Sequence, residues 1–193
     1  MRKAVQGTVV PVAVALGLLL AAPLTMAPVE PALAATAAEL ETRSKAALDD
    51  LLARNQVARL LADSAVGILV FPEVVKGGFI VGGQFGDGAL IEHGSVAGYY
   101  RTIAASYGLQ AGAQSFGYAL FFMNRAALDY LGRSNGWEVG VGPTLVVMDE
   151  GRSASLSTTT AKDDIYAFFF DQKGLMAGIG IQGSKISRID PDG

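Results

Sequence analysis

Hydrophobic positions fall into three textures along the chain. Val9 to Ala22 is an apolar run, interrupted only by Pro11 and Gly17, and it follows Arg2 and Lys3. From Thr36 to Ala65 the apolar positions take helical spacing. Leu40, Ala47, Leu48, Leu51 and Leu52 fall on one stripe, with Glu41, Arg43, Lys45, Asp49 and Asp50 elsewhere. Thr36-Ala37-Ala38-Glu39 has the form of a capping box, so the helix starts there. Asn55-Gln56 marks a break, after which Val57, Leu60 and Leu61 open a second stripe.

Beyond Gly67 the texture becomes short apolar strands punctuated by glycine. Gly67 to Phe71 is one strand, stopped by Pro72, and Ala89 to Glu92 is another, held between the turn signals Gly86-Asp87-Gly88 and His93-Gly94. Asn124 can cap a short helix running to Leu131. Asp149-Glu150-Gly151 reads as a turn and Thr158 to Thr160 as strand. Ile165 to Phe170 is apolar on both faces, which predicts a central strand.

A loose repeat of glycine, a large apolar residue, any residue, Val or Ala, and glycine recurs four times. The copies are Gly78-Phe79-Ile80-Val81-Gly82, Gly108-Leu109-Gln110-Ala111-Gly112, Gly136-Trp137-Glu138-Val139-Gly140 and Gly174-Leu175-Met176-Ala177-Gly178. In a strand, alternate residues share a face. Each copy would therefore send its large residue and its Val/Ala to a core layer and leave bare backbone opposite. Glycine weakens an isolated strand, so these positions imply sharp coiling or close packing against the backbone. The expected fold is α+β: a glycine-rich, strongly curled antiparallel β-sheet or small barrel, with an N-terminal amphipathic helix and one short internal helix.

The first segment reads as an address. Its positive start, apolar run and Ala32-Leu33-Ala34 predict a cleavable signal peptide over 1–34, leaving one domain at 35–193. Fourteen apolar residues fall short of the roughly 20 that a spanning helix needs. The protein is thus expected to be exported, periplasmic or secreted. With no cysteine it carries no acyl anchor of the lipoprotein kind, no disulfide and no zinc-thiolate site. Losing Arg2, Lys3 and Glu30 would turn the net charge of −3 into −4. An acidic chain is a poor general polyanion binder, so nucleic acid is not an expected partner.

Chemistry-bearing residues are sparse. The one histidine, His93, sits at a hairpin tip, and Asp149-Glu150 and Asp163-Asp164 are read as solvated turn carboxylates. No nucleophile, base and oxyanion donors assemble, so an enzyme, a metal site and a cofactor are not expected. The glycine-rich segments lead into strands or turns, not the helix that a dinucleotide fingerprint requires. Lys76, Lys173 and Lys185 each adjoin glycine-rich backbone, where amides and an ammonium can together hold an anionic headgroup. Leu40, Leu48, Leu51 and Leu52 are the candidates for a helix face that dips into a membrane, the other reading being a helix packed on its own core.

Several of these segments resemble the SYLF domain family. They are Gly67 to Pro72, Val75 to Gly83, Ala105 to Gly112, Gly136 to Gly142, Asp164 to Phe168, Gln172 to Leu175 and Gln182 to Ile186. The resemblance implies a lipid-binding module, of phosphoinositide or other acidic lipid in eukaryotic members, whose fungal members also bind actin. It implies membrane contact by an N-terminal amphipathic helix. Export would separate this chain from cytosolic actin and phosphoinositides, so actin is not an expected partner. The expected function is weak binding of anionic lipid headgroups at an envelope membrane. The alternative is a structural or protein-interaction domain of the envelope, its glycine face docking a partner.

Overall fold

Thr36 begins the described fold as the sequence requires. Its hydroxyl accepts from the Glu39 amide at 3.3 Å, and the Thr36 amide donates to the Glu39 carboxylate at 3.1 Å. The helix that follows, α1, spans Ala37–Arg54. Asn55 ends it and caps α2, Gln56–Ala62, by accepting from the amides of Val57 and Ala58 at 3.0 Å each. The computed structural model describes residues 35–133, 136–148, 162–174 and 181–193, with the side chains at 79–81, 106–112 and 174 outside that description. The leader at 1–34, the Asp149-Glu150 pair, the Thr158 to Thr160 strand and the fourth glycine copy beyond Gly174 therefore lie outside the described residues. Among the described residues no helix is long and apolar enough to cross a membrane.

The sheet is built on one long hairpin. β1, Gly67–Glu92, pairs antiparallel with β2, Ser95–Phe122, from Gly67↔Phe122 to Glu92↔Ser95. His93 and Gly94 close it in two residues, both with positive φ (51° and 80°), the left-handed pair that a tight hairpin turn demands. A straight strand of 26 residues would run about 85 Å, roughly twice the width of a domain this size. The ribbon must therefore fold over. Register shifts interrupt it at Phe71/Val74, Gly78/Ile80 and Leu90/Ile91, and such irregularities bend strands and increase their twist.

Two glycines let the halves meet. A Cβ added at Gly86 would lie 2.7 Å from the Glu73 carbonyl oxygen, and one at Gly88 would lie 2.7 Å from Phe71 Cδ1. The second half of β1 thus crosses its own first half at a distance that only hydrogen side chains allow. The result is a strongly curled half-barrel in an α+β fold.

β2 is the spine of the sheet. Its far edge receives β6, Lys185–Ile189, along Tyr99–Ile103 and β5, Ile165–Gly174, along Gln114–Phe122. β3, Trp137–Glu138, extends β6. β4, Leu145–Met148, pairs parallel with β5, which among the described residues is the one departure from an all-antiparallel sheet. β5 lies between β2 and β4 and is central, as its doubly apolar sequence predicts.

The sheet buries both faces where the hairpin ends meet. The inner face holds Leu69, Phe71, Leu90, Tyr100, Phe116 and Tyr118 with Trp137 and Ile186. It is capped by α3, Arg125–Leu128, and by a 3₁₀ turn, Asp129–Gly132. The outer face holds Ile68, Val70, Ile91, Phe121 and Phe168 beneath α1 and α2. Leu40, Leu48 and Leu51 are buried, and Leu48, Leu51 and the half-buried Leu52 pack on the outer-face core. The stripe is spent on the domain itself. Leu40, Leu48 and Leu51 consequently offer no free face in this fold, and of the four candidate membrane leucines Leu52 alone keeps part of its surface exposed.

The glycine repeat is only partly a strand device. Its first two copies face each other, Gly78 opposite Gly112. In the third, Trp137 and Val139 are buried and Glu138 exposed, as alternation predicts, but Gly136, Gly140 and Gly142 have φ of 75°, 101° and 95°. These are turn glycines that fold the chain around Trp137, whose indole N–H donates to the Val141 carbonyl at 2.9 Å.

Asp164 also differs from its reading as a solvated carboxylate. It accepts from the Thr144 amide at 2.9 Å, the Asn124 side chain at 2.8 Å and the Thr144 hydroxyl at 3.0 Å. Those donors, the Thr144 amide foremost, hold its carboxyl below the ordinary range. Its folded pKa being depressed, its stabilisation is complete above the unfolded value and fades as pH falls through the folded one. In Asp164→Asn the loss of stability below about pH 4 is expected to be shallower than in the parent, which acid titration of the unfolding midpoint measures.

Candidate functional site

The register decides which of the three lysines share a surface. Lys76 stands opposite Gln114, on the inner face with Val74. Lys173 stands opposite Ser115, which in turn opposes Val75, so it lies one residue along and on the outer face. It borders an open groove of about 400 Å³ whose charged lining, Arg43, Asp50, Glu73 and Asp171, has both signs. Lys185 is exposed opposite Ile103 and Glu138. Twelve residues of β2 separate the Lys185 and Lys173 levels, about 40 Å along the strand. The fold therefore does not gather Lys76, Lys173 and Lys185 into one headgroup pocket.

It does expose an apolar patch around one of them. Phe85 on β1 opposes Ile103 on β2, and Lys185 on β6 continues the same row toward Glu138 on β3. Cross-strand partners point to the same side, so the row occupies the outer face, beyond the part covered by α1. Phe85 is 48% exposed and Ile103 51%. Gly83 and Ala105, the next outward pair, are exposed as well. Large side chains on an uncovered sheet face are the informative exception to burial.

The next row the other way fixes the patch. Arg101 opposes Asp87 and grips it with two bonds, Nε to Oδ1 at 2.7 Å and Nη2 to Oδ2 at 2.9 Å. The same guanidinium lies 4.7 Å from the Phe85 ring centroid, a cation–π arrangement that holds the ring upright on the sheet. The patch thus has an apolar centre, cations at Arg101 and Lys185, and carboxylates at Asp87 and Glu138.

Phe85, Ile103 and Arg101 were not among the residues singled out in the sequence. Their exposure depends on where α1 stops covering the sheet, which hydropathy alone does not encode. The available signal was Phe85 within Gly82-Gly83-Gln84-Phe85-Gly86-Asp87-Gly88, a lone aromatic in a run too glycine-rich to bury it. His93, by contrast, is an exposed turn residue as read. Among the described residues no cluster of His, Cys, Asp and Glu could hold a metal ion.

No curated protein matches the chain. Residues 103–191 match a family model, Ysc84, described as Las17-binding protein actin regulator. The match begins at Ile103 on the exposed patch, runs through the second half of β2 and includes β3 to β6. The matched region agrees with the SYLF likeness carried by the glycine-rich strings from Ala105 to Ile186, and over residues 103–191 the chain is similar to the Ysc84 (SYLF) family.

Proposed function

We propose that the domain is a lipid-binding module that attaches peripherally to an anionic membrane surface through the outer-face row Phe85–Ile103–Lys185. The observation that carries this reading is the exposure of two large apolar side chains in register with a lysine on an uncovered sheet face. Phe85 and Ile103 enter the interface, and Lys185 meets a phosphate. Arg101 reaches a second phosphate only by exchanging Asp87 for it. One or two cations at about 1 kcal/mol each, with two side chains inserted, give weak and salt-sensitive attachment. An envelope membrane reached through the N-terminal leader is the setting that fits the sequence. Las17 binding and actin regulation are what the family description names; the alternative reading is a protein-docking domain that uses this same face.

Flotation with phosphatidylglycerol-containing vesicles against pure phosphatidylcholine tests the proposal. Lys185→Glu is expected to lower the bound fraction about fivefold, and Phe85→Ser about tenfold or more, with unfolding midpoints unchanged. Equal recovery on both vesicle types, or unaltered flotation of either variant, refutes membrane attachment by this face and leaves protein docking as the reading.

A further inference from the structure

One ion pair stands inside the outer-face patch. Arg101 and Asp87 are cross-strand partners in the row next to Phe85 and Ile103. Two bonds join them, at 2.7 Å and 2.9 Å, and the same guanidinium covers the Phe85 ring at 4.7 Å. Three side chains of the patch are thus one unit. Within it the side chain of Asp87 is 15% exposed and that of Arg101 34%. The cation lies outward and its carboxylate beneath.

The two partners differ in freedom. Asp87 stands between Gly86 and Gly88, where a Cβ on either glycine would run into the Glu73 or Val70 carbonyl oxygen. That crossing fixes the backbone under the carboxylate, and an aspartate is too short to swing clear. Arginine carries its charge on a long flexible stem. Any separation of the pair is therefore made by Arg101, and it strands a largely covered carboxylate, which is costly. An arginine fork fits a phosphate as well as a carboxylate. Exchange is thus favourable only where many phosphates compete with the one carboxylate. Below that density the pair is neutral, and attraction to an anionic surface falls to Lys185.

We infer that Asp87 is a specificity-determining residue of this surface: by holding Arg101 it sets the density of anionic lipid that a membrane must present before the patch binds with both cations. The inference rests on the membrane reading of the patch and adds to it a discrimination among anionic surfaces.

The test compares whole-domain variants on vesicles of rising phosphatidylglycerol fraction in phosphatidylcholine. Asp87→Asn weakens the grip and leaves Arg101 charged, and Asp87→Ala removes the acceptor altogether. Glu138→Gln, which takes one exposed carboxylate from the same patch, is the control for net charge. At low phosphatidylglycerol both Asp87 variants are expected to bind about fivefold better than Glu138→Gln, the effect of one further phosphate contact. The difference should close as the fraction rises. In an Arg101→Gln background, Asp87→Asn should gain no more than Glu138→Gln does. Unfolding midpoints taken alongside confine the comparison to folded protein. The parent supplies a readout that needs no variant: on bicelles of the same series, its Arg101 Nε proton resonance is expected to shift only at the higher fractions. A shift at the lowest fraction that binds overturns the inference. So does an Asp87→Asn gain that equals the control or survives without Arg101, and the patch then stands as the membrane contact. If the parent binds at no fraction, the membrane reading falls and this inference falls with it.

Discussion

Gly88→Val is expected to cost the domain at least about 3 kcal/mol, read as a fall in the urea unfolding midpoint, and to leave little folded protein at physiological temperature. The reason is geometric. Already the first added carbon would fall against the Val70 carbonyl oxygen and 2.7 Å from Phe71 Cδ1. One is backbone and the other a fully buried ring, so neither can step aside without opening the crossing of β1 over itself. Gly132→Ala is the control. Nothing lies within 4 Å of its added carbon, and its stability should stay within about 0.5 kcal/mol of the parent. Equal effects at the two positions would show that the ribbon does not depend on close approach at Gly88.

Leu48→Ala is expected to lower stability by about 2–5 kcal/mol, while vesicle binding by the fraction that remains folded is unchanged. Leu48 packs with Leu51, Ala58 and Leu61 on the outer-face cluster with Val70 and Phe121. Truncating it leaves a void between helix and sheet. The two candidate roles of the stripe predict opposite pairs of results. A core leucine, lost, moves the unfolding midpoint and spares lipid. A membrane-inserting leucine, lost, spares the midpoint and weakens lipid. An unchanged midpoint with lost flotation would therefore sink the packing described here.

Local signals were legible wherever a short string determines its own geometry. The Thr36 box, the Asn55 break, the His93-Gly94 turn and the Asn124 cap are each set by hydrogen bonds within a few residues, and each stands where it was read. The centrality of Ile165 to Phe170 was legible because both faces are apolar. What escaped depends on long-range placement. The helix stripe looks the same in sequence whether it meets a sheet or a bilayer, and only the docked α1 decides. Lys76 and Lys173 were read as equivalent, but a strand register one residue apart puts them on opposite faces. Asp164 was read as solvated because its partners, Asn124 and Thr144, are 40 and 20 residues away. Gly136 and Gly140 were read as strand because a spacing cannot report the sign of φ.

The spine position of β2 has a kinetic consequence. Its one edge is consumed by β1 and its other edge is divided between β6 and β5, so those C-terminal strands have no template until residues 95–122 are laid down. The earliest pairing that can form is the local one at His93-Gly94, and it must zip outward until Gly67 finds Phe122. Assembly ordered in this way is dominated by contacts distant in sequence, the regime of slow folders. Amide protons in the stretch of β2 shared by β1 and β5 should accordingly exchange with solvent only when the entire domain opens.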